Sequence, residues 1–411
     1  MPDFNAAVYL LRSPLHDADR GQKVFSELLG SLQKAFSCRE TNDLTGDDFD
    51  FLFIIVLTGG TENLFRGIWP DINRSKKPFV LVATETDNSL PAAVEILAWL
   101  NATEATSQAE IIHGAPEQIA GKAKEKVDLH KISHELRHQK AGIVGEPSEW
   151  LIASMPDRSK IENKLGLQLV PFSMEELKKN MDKGEASALS GFSQSFYRAC
   201  DKQVLSELAR AAKIYAGLIR LVRTHHLSAL TLRCFDILSS EQTTGCLALA
   251  KLNDEGITSA CEGDVPAMLS MMLLRAIAGG ASFMANPSRI TDKSVTFAHC
   301  TCPPGILRQY SLKTHFESGK GLAISGEFAT GVFTVCRFDF VNNRYALATG
   351  KSVVYAFSSS LCRTQITLEI QDAADYFLSR PLGNHHILIP GDFSDKIRKW
   401  CRLQQMQPVW Q

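Results

Sequence analysis

Two runs of this chain, FLFIIVL at 51–57 and PFVLVAT at 78–84, are apolar at nearly every position. Successive residues of a strand point to opposite faces, so a strand with one wet face alternates between apolar and polar. An unbroken apolar strand needs cover on both faces, which a parallel sheet flanked by helices provides. The segments between carry helical spacing: in GQKVFSELLGSLQKAF (21–36), Val24, Leu28 and Leu32 fall on one face. With AAVYLL (6–11) as a further strand, the first third reads as a doubly wound α/β domain.

At 411 residues the chain exceeds what a single core usually serves, so more than one domain is expected. A new strand at 140–144, followed by a Gly-Glu-Pro turn, opens a second α/β series: LQLVPFS (167–173), a helix over 201–226, a strand ALTLRCFDI (229–237), a helix near 243–252 and a strand ITSAC (257–261). The long helix has Leu208, Ala212, Tyr215, Ile219 and Val222 at alternating three- and four-residue intervals, a buried stripe. From about 288 the texture changes to short strands with Gly, Asn and Pro turns and hardly a helix, which predicts an antiparallel β domain, closed or sandwiched. The expected fold class is α/β: a Rossmann-like domain over 1–139, a second over 140–287 and a β-rich C-terminal domain over 288–411.

The net charge is −1, so nothing in the electrostatics favours nucleic acid or an anionic membrane. The longest apolar stretch, MLSMMLLRAIAGGASFMA (268–285), is broken by Arg275 and a Gly pair, and no membrane span is predicted. The N-terminal segment lacks a basic region and a small-residue cleavage site, and a cytoplasmic location is expected. The cysteines are scattered through apolar runs, a pattern of small buried residues and not of a disulfide framework.

Four stretches carry candidate chemistry. In SACEGDVPAML (259–269), Asp264 and Pro266 read as the N-cap and first turn of an apolar helix. That leaves Glu262 unexplained, at the carboxyl end of a strand, where open α/β sheets place their ligands. In ASFMANPSRI, Asn286 precedes a proline and reads as the start of a turn. LGNHHILIPGD sends His385 and His386 into an apolar strand, and FAHCTCPPG holds His299, Cys300 and Cys302 at a spacing that is not a zinc knuckle. In the first domain, LTGGTE (57–62) and DNSLPAA (87–93) follow strands. Their Thr61, Glu62, Asn88 and Ser89 are either ligand contacts or ordinary turn chemistry. In THFESG, His315 and Glu317 alternate along an expected strand and would share one face. No nucleotide-binding glycine pattern occurs.

In order along the chain, LTGGTE, DNSLPAAVEILAWL, AGIVGEPSEWLI, ACEGD, AHCT, THFESGKG and NHHILIPGDF resemble the L-fucose isomerase and L-arabinose isomerase superfamily, and most closely its shorter fucose-isomerase-like branch. The resemblance implies a carbohydrate isomerase that interconverts an aldose and a ketose through an enediol, assisted by a divalent metal, usually Mn²⁺. It assigns the metal to Glu262, to a second position about two dozen residues on, and to His385, with His386 as the alternative. The second position is a carboxylate in the superfamily and Asn286 here; an amide oxygen can ligate a metal but cannot carry a proton. His299 falls where the arabinose enzyme has a further metal histidine. Glu262 and Asn286 thus occupy the catalytic positions, while Asn88, Ser89, Thr61, Glu62, His315 and Glu317 are the expected sugar contacts. The resemblance also implies a homo-oligomer, a trimer or hexamer. Two other readings remain open: a sugar-binding protein without catalysis, and a related metal-dependent lyase or epimerase.

Overall fold

A computed structural model describes residues 4–15, 18–45, 48–103, 109–155, 157–196, 205–354 and 356–410. The chain divides into two units, Met1–His134 and Glu135–Gln411.

The first unit carries strands β1 (Ala6–Leu11), β2 (Cys38–Glu40), β3 (Phe51–Val56), β4 (Phe79–Ala83) and β5 (Ile111–His113). They form one parallel sheet in the order β2-β1-β3-β4-β5. The two-residue period explains its cover. Phe51, Phe53 and Ile55 pack with Phe25, Leu28 and Leu32 of the Ala18–Ala35 helix, while Leu52, Ile54 and Val56 face Phe65, Ala92 and Ile96 on the opposite side.

The second unit begins with β6 (Lys140–Val144), β7 (Gln168–Phe172), β8 (Ala229–Leu232) and β9 (Thr258–Cys261), a parallel sheet ordered β7-β6-β8-β9. The long helix spans Leu205–His225 and buries the stripe from Leu208 to Val222; residues 201–204 of the expected helix lie outside the described ones. The strand expected over 229–237 stops at Leu232, and Cys234–Glu241 is a helix. Its buried Cys234 and Ile237 stand three apart, and so short an apolar run fits either period.

Nine further strands follow: β10 (Phe283–Ile290), β11 (Ser294–His299), β12 (Gln309–Lys313), β13 (Ala323–Glu327), β14 (Val332–Asp339), β15 (Arg344–Val353), β16 (Thr364–Glu369), β17 (His386–Pro390) and β18 (Gln407–Trp410). The ladder runs β14-β17-β10-β11-β16-β15 and returns from β15 to β14, so six antiparallel strands close on themselves and bury both edges. The sheet is mixed rather than purely antiparallel, because β18 adds to β15 in parallel. Two helices, Ala373–Ser379 and Ser394–Leu403, interrupt a region expected to hold hardly any; the second buries Ile397, Trp400 and Cys401 at helical spacing. The Val265–Ala278 helix packs against β8 and β9 on one side and β14 and β17 on the other, which brings the end of β9 to the start of β17. No described helix is long and apolar enough to cross a membrane.

Candidate metal centre

The backbone turns sharply after β9. Glu262 has φ 63° and Gly263 φ 74°, consecutive left-handed residues of which only the glycine adopts that conformation cheaply. Strain of this kind at a carboxylate points to a site. The turn is pinned by Ser148, whose N–H donates to the Glu262 carbonyl at 3.0 Å, and by close approach: a Cβ on Gly263 would lie 2.7 Å from Pro147 Cα. Asp264 then caps the helix as expected, Oδ1 accepting from the Ala267 N–H at 2.8 Å with proline in the first turn.

Glu262, His299 and His385 converge. One ligand atom from each lies within 4.8 Å of the others, and the cluster is suited to a metal ion. Glu262 Oε1 stands 3.5 Å from His385 Nε2 and 3.6 Å from His299 Nε2, longer than hydrogen bonds. The other carboxylate oxygen accepts from the Trp150 indole N–H at 2.7 Å. His385 is fully buried, yet its Nε2 has no hydrogen-bond partner among the described residues. Orphaned buried nitrogens are rare and call for an explanation.

Asp264 supplies part of one. Its Oδ2 lies 2.9 Å from His385 Nδ1, and because a carboxylate only accepts, Nδ1 carries the proton and Nε2 faces Glu262. Carboxylate–imidazole pairs of this kind orient metal-binding histidines. Arg337, also buried, stands 3.5 Å from the same Asp264 oxygen and donates to the His385 carbonyl at 2.5 Å and to Ser154 Oγ at 2.7 Å. His299 is held by Thr301, whose backbone N–H donates to Nδ1 at 3.3 Å and whose hydroxyl lies 2.9 Å from the same nitrogen, leaving Nε2 to face Glu262.

The electrostatics follow from these neighbours. Burial opposes ionisation of Glu262, but His299 and His385 outweigh it and hold the carboxyl well below its usual range. Burial likewise works against a charged His385, and Asp264 and Glu262 overcome it, raising the imidazole to about 9. Burial also opposes a charged Asp264, which Arg337 and His385 nonetheless keep ionised. One carboxylate oxygen and two imidazole nitrogens form a common donor set for a divalent cation.

Asn286 lies in a strand, not at the start of a turn. It lies in β10 and pairs with Ala298 of β11, one residue beyond the Ala285–His386 pair that joins β10 to β17. Its Oδ1, like His385 Nε2, is buried and has no hydrogen-bond partner among the described residues. His386 faces elsewhere: Nε2 lies 2.8 Å from the Tyr376 hydroxyl and Nδ1 3.1 Å from the Asn384 carbonyl, so both nitrogens are committed. Burial pushes it down to about 3.

His315 and Glu317 sit in a turn after β12 rather than on a strand. Gly319 and Gly321, both at positive φ, bend the chain so that the Gly319 N–H reaches the His315 carbonyl at 3.0 Å. His315 is buried, its Nδ1 3.1 Å from Ser318 Oγ; burial lowers its pKa, and His299 and Glu262 also act on it. Its ring edge meets Phe235 at 6.0 Å, and Phe235 meets Trp150 at 5.0 Å, giving a line of aromatic faces beside Glu262.

In the first unit, the Ser89 hydroxyl donates to the Val56 carbonyl and accepts the Thr84 N–H, tying β3 to β4. Thr61 is buried and donates to the Thr58 carbonyl; Glu62 opens the following helix. Asn88 has φ 55° and lies so near Gly59 that a Cβ there would sit 2.9 Å from its own. The residues with geometric roles that sequence reasoning did not single out are Trp150 and Arg337. Trp150 falls within the quoted AGIVGEPSEWLI motif, whereas nothing local marks Arg337.

No protein-family model matches the chain. Sulfoquinovose isomerase of Priestia aryabhattai is 21% identical over 300 residues, covering 69% of this chain and 66% of that protein, just under two thirds of its length. Sulfoquinovose isomerase of Alkalicoccus urumqiensis is 23% identical over 227 residues, 51% of either chain. That of Clostridium sp. (strain MSTE9) is 33% identical over 91 residues, 21% of this chain and 20% of that one.

Proposed function

We propose that the protein is a sugar isomerase that interconverts an aldose and a ketose at a divalent metal centre of the fucose and arabinose isomerase type. The observation that carries this reading is the convergence of Glu262, His299 and His385, with a buried, unpartnered His385 Nε2, at the carboxyl end of β9. The relatives named sulfoquinovose isomerase support the same reaction class and put a sulfonated hexose among the substrates to try.

In this proposal Glu262, His299, His385 and the Asn286 amide oxygen hold the ion, Mn²⁺ by preference. A divalent ion bound there supplies Lewis-acid polarisation of two adjacent sugar oxygens. The remaining work belongs to the chain. Glu262 is the carboxylate beside the sugar and moves the proton between C2 and C1, since Asn286 cannot. The Trp150 N–H holds Oε2 and so orients Glu262 with Oε1 toward the two histidines. Buried His315 is the neutral imidazole that passes the second proton between the two oxygens, with Glu317 on the same turn as a further proposed sugar contact. The Trp150, Phe235 and His315 faces present apolar surface to the C–H side of the ring. In the first unit Glu62 and Asn88 remain the proposed sugar contacts, because the Thr61 and Ser89 hydroxyls are buried and bonded to backbone.

The test is aldose–ketose exchange, after loading with Mn²⁺, on pentoses, 6-deoxyhexoses and sulfoquinovose, with C2 proton exchange in deuterated water followed by NMR. Exchange on at least one sugar that Glu262→Gln abolishes is the expected result. Tight sugar binding without exchange would overturn catalysis in favour of a binding protein. Elimination or epimer formation would favour the lyase or epimerase reading.

A further inference from the structure

Five cysteines of the second unit cluster beside the metal centre, and none has a part in the proposed reaction. Cys261 ends β9 and immediately precedes Glu262; Cys300 immediately follows His299. Cys246 and Cys300 share a small apolar cluster, with half-buried Cys362 against it. Cys261 and Cys234, the first residue of the Cys234–Glu241 helix, have Sγ atoms 2.8 Å apart. Ordinary packing keeps non-bonded heavy atoms about 3.5–4.0 Å apart. A disulfide needs about 2.0 Å, so closure asks for a further shift of less than an ångström.

The two sulfurs belong to elements that the sheet holds in register. Leu232 pairs with Cys261 across β8 and β9, and Cys234 follows two residues after Leu232. Both thiols are nearly inaccessible, at 5% and 2% exposure, which excludes bulky disulfide reagents.

We propose that Cys234 and Cys261 are a modification site, a dithiol that hydrogen peroxide oxidises to a disulfide and a small thiol restores. In the first step one sulfur attacks the peroxide: an S–O bond forms, the O–O bond breaks, and the thiol proton leaves with the departing oxygen as water. In the second, the other sulfur attacks the sulfenic sulfur: the S–S bond forms, the S–O bond breaks, and a second water leaves. Each sulfur gives up one electron and the peroxide takes up both.

The product bears on the metal centre through the backbone. Glu262 and Gly263 occupy consecutive left-handed conformations, and Gly263 is already close-packed on Pro147, so the turn has little slack to absorb a pull on Cys261. Oxidation therefore displaces the Glu262 carboxylate from its place between His299 and His385.

The full chain is reduced, desalted and treated with hydrogen peroxide. Remaining thiols are blocked with N-ethylmaleimide under denaturing conditions, and the digest is read by mass spectrometry. The expected result is a linked pair of peptides carrying Cys234 and Cys261, lighter by two hydrogens than the separate peptides and lost on dithiothreitol treatment. Recovery of both residues as maleimide adducts, or of Cys261 linked to Cys246, would overturn the assignment. Mn²⁺ affinity, measured before and after oxidation, is expected to fall at least about tenfold, the effect of disturbing a ligand's support, and to recover on reduction. Unchanged affinity in the linked protein would overturn the coupling to Glu262. The peptide map does not depend on what the centre binds or catalyses.

Discussion

Replacing Asp264 with Asn tests whether this residue sets the state of His385. Each carboxylate oxygen has its own donor: Oδ1 accepts from the Ala267 N–H at 2.8 Å and Oδ2 from His385 Nδ1 at 2.9 Å. An Asn side chain offers one oxygen and one NH₂, so it can serve only one of those donors. If the oxygen keeps the helix cap, the NH₂ faces Nδ1 and the imidazole must adopt the other tautomer, placing a proton on Nε2 toward Glu262. Losing such support typically costs 10- to 100-fold in metal affinity, about 1.4–2.7 kcal/mol. Stability falls too, because Arg337 loses its charged partner in the interior. Removing one member of a buried pair costs about 3–5 kcal/mol, and the lower end applies here, since Arg337 keeps Ser154 and the His385 carbonyl. Asp264→Ala should unfold at a still lower temperature, by the cap's further contribution of about 1 kcal/mol. Calorimetric Mn²⁺ titration and thermal unfolding of the metal-free proteins supply both readouts. Wild-type metal affinity in Asp264→Asn would refute the reasoning.

Two other substitutions separate local effects. Trp150→Phe removes the N–H that holds Glu262 Oε2; the indole is 49% exposed, so water replaces most of that bond. The loss should be about 1 kcal/mol, roughly fivefold in Mn²⁺ affinity, with little change in melting temperature. Gly263→Ala and Gly279→Ala share φ 74°, but only the first places its Cβ against Pro147, while the second has nothing within 4 Å. Both should lose about 1–2 kcal/mol for the left-handed conformation. Gly263→Ala should lose measurably more in urea titrations, and equal losses would mean that the Pro147 contact is soft.

How much of this was legible in the sequence depended on whether the information was local. Strand β3 could be read because all six of its residues are buried, a condition only a covered sheet satisfies. The cap at Asp264 could be read because its partner is three residues away. The same side chain's contact with His385 spans 121 positions, and Trp150 reaches Glu262 across 112, distances at which spacing carries no information. Nothing local marks Arg337, which folding buries against Asp264. The turn at His315 was misread because alternation on paper does not show the positive φ of Gly319 and Gly321. Helix Cys234–Glu241 was absorbed into a strand because its apolar residues satisfy both periods. The resemblance named Glu262, His299 and His385, which the structure brings together, and left His386 as an alternative, which the structure turns toward Tyr376.

The central claim is that Glu262, His299 and His385 together hold a divalent ion. The most direct measurement is pulsed electron paramagnetic resonance of the Mn²⁺-loaded protein, which detects imidazole nitrogens bound to the metal. The account predicts coupling from two histidine nitrogens in the native protein, from one in His299→Ala, and no specifically bound Mn²⁺ in Glu262→Gln. A spectrum of fully hydrated Mn²⁺, or coupling from two histidine nitrogens that persists undiminished in both His299→Ala and His385→Ala, would contradict it.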